Sequence, residues 1–125
     1  MRNKPFIDIN YVNREQYLNN GIVLLDFWAE WCTACMAQDE VYQEIAEKYS
    51  GKIVLGKIHA GDNRFLADKF GVRNIPFLIL MNNGREISRM SGIENRNALE
   101  RLIEKEIVKN QGTFRSKTFK DNTTN

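Results

Sequence analysis

The chain has two cysteines in 125 residues, three positions apart in Trp31-Cys32-Thr33-Ala34-Cys35. Thiols at i and i+3 on the first turn of a helix can close a disulfide with little backbone movement. At that turn the first sulfur faces backbone N–H groups that lack helical partners. It also meets the positive end of the helix dipole, and both favour its thiolate. The chemistry this pair supports is reversible thiol–disulfide exchange. Two other readings stand beside it: packing cysteines, or half of a zinc site. A zinc site needs four ligands, and beyond the pair the chain offers a single histidine, His59.

The flanking sequence supplies elements to position the pair. Residues 22–29 are a nearly continuous apolar run, the pattern of a strand buried on both faces of a parallel sheet. Asp26 interrupts it. A carboxylate buried without a partner is costly, so Asp26 is expected to be neutral or paired. Over residues 35–49, Val41, Tyr42, Ile45, Ala46 and Tyr49 repeat at three- and four-residue spacing, one face of a helix. Ser50-Gly51 ends it.

The other elements follow from similar signals. Residues 4–9 form a first strand and residues 11–20 a helix stopped by Asn20-Gly21. Residues 52–59 alternate as a strand, with Ile53, Leu55 and Lys57 on one side and Val54 and Ile58 on the other. Residues 63–70 form a short helix closed by Gly71. The strand after Pro76 turns at Asn82-Asn83-Gly84 into a returning strand over residues 85–90. Asn95 caps a last helix with Leu99, Leu102, Ile103 and Ile107 on its buried face. The order β-α-β-α-β-α-β-β-α is an α/β fold. Crossovers link the first three strands and a hairpin links the last two, giving a mixed sheet.

Composition bounds the partners. An apolar share of 42% suits one domain with one core, placed at residues 1–109. Residues 110–125 are polar, lack periodicity and are read as a mobile tail. Of the net charge of +2, all falls in that tail, through Arg115, Lys117 and Lys120 against Asp121. A neutral body with a weakly basic tail argues against nucleic acid as a partner. No apolar run approaches the roughly 20 residues of a membrane span. Asp8, Asn10, Asn13, Arg14 and Glu15 break up any apolar signal-peptide core. The chain is therefore read as a cytoplasmic monomer.

Separate motifs in this order resemble the thioredoxin family over about residues 6–108. They are Asp26-Phe27-Trp28-Ala29-Glu30-Trp31-Cys32, Cys35, Lys57, Phe70-Gly71-Val72-Arg73-Asn74-Ile75-Pro76, Asn83-Gly84 and Gly92. The resemblance implies a thioredoxin fold, a five-stranded mixed sheet with helices on both faces. It implies a thiol–disulfide oxidoreductase that reduces protein disulfides, with Cys32 as the exposed nucleophile and Cys35 as the more buried resolving thiol. It implies that Asp26 manages the proton of Cys35 through a water, with Lys57 as its charge partner. It implies a cis peptide before Pro76, and a substrate rim of Trp31, Ile75, Pro76 and Gly92 beside Thr33 and Ala34. Trp28 packs beneath the site. No bound cofactor or metal is implied, and a reductase or other dithiol donor must recharge the pair.

The chain departs from the family's pattern at four places. Gly-Pro between the cysteines is Thr33-Ala34, and Ala34 brings an N–H that proline lacks. With Cys32 at the helix cap, that N–H is expected to stabilise the thiolate and make a weaker reductant. Met36 replaces a basic residue, Glu40 replaces a helix-bending proline, and Phe77 replaces threonine after Pro76. Two other functions stay open at this level: a docking module of the same fold with idle cysteines, and a more oxidising disulfide oxidase or isomerase.

Overall fold

The computed structural model describes residues 5–93 and 95–123, with side chains as far as residue 112. Its elements are β1 (Ile7–Asp8), α1 (Arg14–Leu18), β2 (Ile22–Trp28), α2 (Thr33–Lys48), β3 (Ile53–His59), α3 (Arg64–Lys69), β4 (Phe77–Asn82), β5 (Arg85–Met90) and α4 (Arg96–Thr123). The chain divides into two compact units between residues 94 and 95. The sheet and every residue of the cysteine site belong to the first.

The sheet order is β1-β3-β2-β4-β5. β1, β3 and β2 run parallel, and β4 and β5 are antiparallel to their neighbours. β2 is therefore interior, which explains why its residues from Ile22 to Phe27 are all buried. Its side chains alternate between faces. Val23, Leu25 and Phe27 join Ile58, Ile79 and Met81 in a core under Leu18 of α1 and Leu66 and Ala67 of α3. Asp26 lies on the opposite face, in register with Lys57 of β3 and Leu78 of β4. That face meets α2.

The β4–β5 hairpin has a two-residue loop, Asn83-Gly84, with φ of 52° and 83°. Two positive φ values make the type I′ turn whose twist suits adjoining strands. Asn83 also ties the turn to the start of β2. Its N–H donates to the Gly21 carbonyl at 2.9 Å, and its Oδ1 accepts from the Gly21 N–H at 2.7 Å.

Three boundaries differ from expectation. β1 covers only Ile7–Asp8, and Lys4, where it was expected to begin, lies outside the described residues. α1 starts at Arg14 because Asn10 and Asn13 take the backbone N–H groups before it. The Val12 and Asn13 N–H groups donate to Asn10 Oδ1, and the Asn10 N–H donates to Asn13 Oδ1. Such local side-chain bonds compete with a helix. α4 starts as expected, with Asn95 Oδ1 accepting from the Ala98 N–H at 3.1 Å. Its helical backbone continues to Thr123 without a break at residue 110.

Candidate active site

The tip of β2 and the start of α2 place the cysteines. Cys32 is the N-cap of α2, with extended backbone, and its Sγ accepts from the Cys35 N–H at 3.2 Å. The Cys32 carbonyl accepts the next helical bond, from the Met36 N–H at 3.1 Å. Cys32 and Cys35 are joined as a disulfide with a Cα–Cα separation of 5.2 Å. The expected N-cap is therefore present. The bond to the cap sulfur comes from Cys35 and not from Ala34. Cys32 is less open than expected: it is 7% exposed, against 2% for Cys35.

The Ile75–Pro76 peptide is cis, as the resemblance implied. Ile75 and Trp28 pack against the cluster of Ala29, Cys32 and Cys35. Trp31 stands out from the surface at 72% exposure and, with Arg73, Asn74 and Ile75, lines an open groove of roughly 820 Å³. Thr33, Ala34 and Met36 are exposed. Phe77 packs with the core on the far face, below Arg89, whose Cζ lies 5.5 Å from the ring centre. Gly92 is buried, with φ of 124°. It comes to the site by way of α2: Gln38, one turn beyond Cys35, accepts from the Ile93 N–H at 2.9 Å, and Tyr42 Oη donates to the same Oε1 at 2.5 Å. A Cβ on Gly92 would lie 3.0 Å from that oxygen.

Beside Trp28, which packs against the cysteines, lies a small group of charges. Asp26 is 1% exposed, and its Oδ1 is buried without a hydrogen-bond partner. Burial pushes its carboxyl up to about 7; Lys57 pulls against this and Asp39 adds to it. Burial also holds the Tyr42 hydroxyl protonated well above its ordinary range, with Asp26 and Asp39 adding to the effect. Lys57, expected to pair with Asp26, makes its ion pair elsewhere. Its Nζ donates to Asp39 Oδ1 at 2.5 Å and sits 4.5 Å from the Trp28 ring centre.

A second polar group flanks Trp28. The His59 ring meets Trp28 edge-on at 5.1 Å. Its Nδ1 accepts from the Asp62 N–H at 3.1 Å, which leaves Nε2 to donate to Glu30 Oε2 at 2.5 Å. That bond holds the exposed Glu30 carboxyl below its usual range. Among the described residues, no group of three or more His, Cys, Asp or Glu side chains could hold a metal ion. No helix there is long and apolar enough to cross a membrane.

The family model named Thioredoxin matches residues 7–105. The chain belongs to the thioredoxin family. A thioredoxin from Chlamydia caviae is 35% identical over 91 residues, covering 73% of this chain and 88% of that protein. One from Chlorobaculum thiosulfatiphilum is 33% identical over 85 residues, covering 68% and 79%. A mutant thioredoxin from Halobacterium salinarum superposes with a TM-score of 0.73 at 27% identity, covering 86% of this chain and 96% of that one. The chain has the thioredoxin fold, with its mixed five-stranded sheet and flanking helices. It is a thiol–disulfide oxidoreductase, a disulfide reductase with a redox-active Cys-x-x-Cys pair.

Within this thioredoxin site, sequence reasoning passed over Gln38, Asp39, Glu30 and gave His59 no part. Gln38 and Asp39 stand three and four residues after Cys35, on the helix face that turns inward with it. That spacing was a usable signal. The Lys57–Asp39 contact was not readable from spacing, because it depends on where β3 lies under α2.

Proposed function

We propose that Cys32 is the attacking thiol of this reductase and Cys35 the resolving one. The Cys32 thiolate attacks one sulfur of a substrate disulfide. A Cys32–substrate bond forms, the substrate S–S bond breaks, and one substrate thiolate leaves. Cys35 gives its proton, through a water, to the Asp26 carboxylate and attacks Cys32 Sγ. The mixed disulfide breaks, the second substrate thiolate leaves, and Cys32 and Cys35 end as the disulfide. Two electrons pass to the substrate, and both of its sulfurs take up protons.

The observation that carries this reading is the Cys32 N-cap. The α2 amides and dipole face its sulfur, where they favour the thiolate over the thiol. Trp31, Thr33, Ala34, Ile75, Pro76 and Gly92 form the substrate rim in this reading. The Ile75 backbone then pairs with an extended substrate segment like an added strand. Lys57 tunes Asp26. Protein disulfides are the substrates, and a reductase or other dithiol donor restores the pair. Every residue named lies in one chain, so a monomer suffices. Two cysteines give no structural disulfide framework, which favours a reducing compartment such as the cytoplasm.

The test is reduction of insulin disulfides by the full chain supplied with a dithiol donor. Wild type should accelerate insulin precipitation, and Cys32→Ser should fall to the rate of the donor alone. A Cys32→Ser chain as active as wild type would refute the assignment.

A further inference from the structure

Lys57 and Asp26 are register partners on parallel strands, so their side chains leave the sheet on the same face. Both are buried. With nothing else present, an ammonium and a carboxylate so placed would pair, since each is costly alone. The structure holds them otherwise. Asp39, on α2, reaches down with Oδ1 to take Lys57 Nζ at 2.5 Å. Its Oδ2 accepts from Gln43 Nε2 at 2.6 Å, which fixes the carboxylate in that pose. The Phe6 and Trp28 rings lie 4.8 and 4.5 Å from the same nitrogen and complete a cage around it. Asp26 Oδ1 is left buried and unbonded.

We propose that Asp39 is a positioning residue for the disulfide chemistry: by holding the Lys57 ammonium it keeps Asp26 unpaired and able to take up the proton of Cys35. This rests on reading Asp26 as the acceptor of that proton. The charged and titratable groups that act on Asp26 among the described residues are Lys57 from β3, and Asp39 and Tyr42 from α2. β4 supplies only Leu78. Cys35 is neutral as a disulfide and Tyr42 is a neutral phenol, so Lys57 and Asp39 set the field. If Asp39 loses its charge, two register partners flank Lys57, Asp8 on β1 and Asp26 on β2. Asp8 is exposed and screened by solvent, so the buried Asp26 becomes the partner.

The experiment is a double-mutant cycle on the full chain in its disulfide form, with Asp39→Asn and Lys57→Met. The readout is the titration of the Asp26 carboxyl carbon by NMR. Asp39→Asn should lower the Asp26 midpoint by about 1 pH unit or more, as an approaching cation does. Lys57→Met should raise the midpoint further in the Asp39→Asn background than in wild type, because Lys57 lies nearer Asp26 there. Equal shifts in the two backgrounds would make Asp39 a fixed background charge and overturn the proposal. So would an Asp26 midpoint that Asp39→Asn leaves unchanged or raises. Asp39→Ala, a good helix former at this half-exposed site, is the second variant and should move the midpoint the same way.

The pH profile of insulin reduction supplies the functional arm, and its Asp26-dependent limb should move with the midpoint. The titration needs no turnover. Failure of the cycle therefore counts against Asp39, while a pH profile that ignores a shifted Asp26 counts against the proton-acceptor reading.

Discussion

Asp26 and Lys57 sit side by side on β2 and β3, yet the Lys57 ammonium is bonded to Asp39, and Asp26 Oδ1 has no partner. Among the described residues Asp26 is the most buried carboxyl, and its Oδ1 is left without a hydrogen bond. Its proton affinity follows from burial first, with Lys57 opposing and Asp39 reinforcing.

This arrangement makes stability depend on pH. The Asp26 carboxyl titrates at about 7 in the fold against 3.8 as its ordinary value. Between those values the folded state holds a proton that the unfolded chain has released. Stability therefore falls as pH rises from about 4 to about 7, and the loss is complete above that window. The shift corresponds to at most about 4 kcal/mol. Asp26→Asn removes the titration, so urea unfolding should show the variant gaining on wild type from about pH 4 to about pH 7 and holding that gain above it. Parallel stability curves would contradict the assignment.

Gln38 joins α2 to the loop that carries Gly92. Its Oε1 accepts from the Ile93 N–H, and Gly92 is pressed against its amide. Gln38→Leu removes the acceptor with little change of volume. A net hydrogen bond is worth about 1 kcal/mol, so kcat/KM for insulin should fall about fivefold, chiefly through KM. Gly92→Ala should do at least as much, since φ of 124° disfavours any side chain and the new Cβ meets Gln38.

Thr33-Ala34 bears on the strength of the reductant. The Ala34 N–H is in the first turn of α2, one residue before the Cys35 N–H that bonds the cap sulfur; a reduced Cys32 thiolate is expected to accept from it as well, and proline there would remove it. One such charge-assisted bond is worth about 1.5–3 kcal/mol, or roughly 30–60 mV for a two-electron couple. Thr33→Gly with Ala34→Pro should lower the Cys32/Cys35 potential by up to that amount against glutathione. An unchanged or higher potential would end the argument.

The hairpin turn should be sensitive in a way unrelated to chemistry. Gly84, at φ of 83°, allows the type I′ turn, and Ala there should cost about 1 kcal/mol in unfolding experiments. Insulin reduction at low temperature should be unaffected.

Much of this was legible beforehand, for local reasons. The apolar run of β2, the i, i+3 cysteines and Asn83-Gly84 each encode their own geometry, and the structure places Cys32 at the cap and the turn at residues 83 and 84. The cis bond before Pro76 was visible only through family resemblance, because the sequence around it does not distinguish cis from trans. The start of α1 was misjudged because Asn10 and Asn13 bind nearby backbone, a competition that hydrophobic period does not register. Asp39 escaped notice because its partner is 18 residues away and meets it only once α2 lies on β3.

In the proposed cycle Cys32 attacks and Cys35 resolves, and that order has a direct consequence for trapping. It is tested most directly by the intact mass of Cys35→Ser after reaction in reduced form with insulin. The account requires a mixed-disulfide adduct on Cys32 that a dithiol releases, and no comparable adduct on Cys32→Ser. Trapping by Cys32→Ser through Cys35, with none by Cys35→Ser, would contradict it.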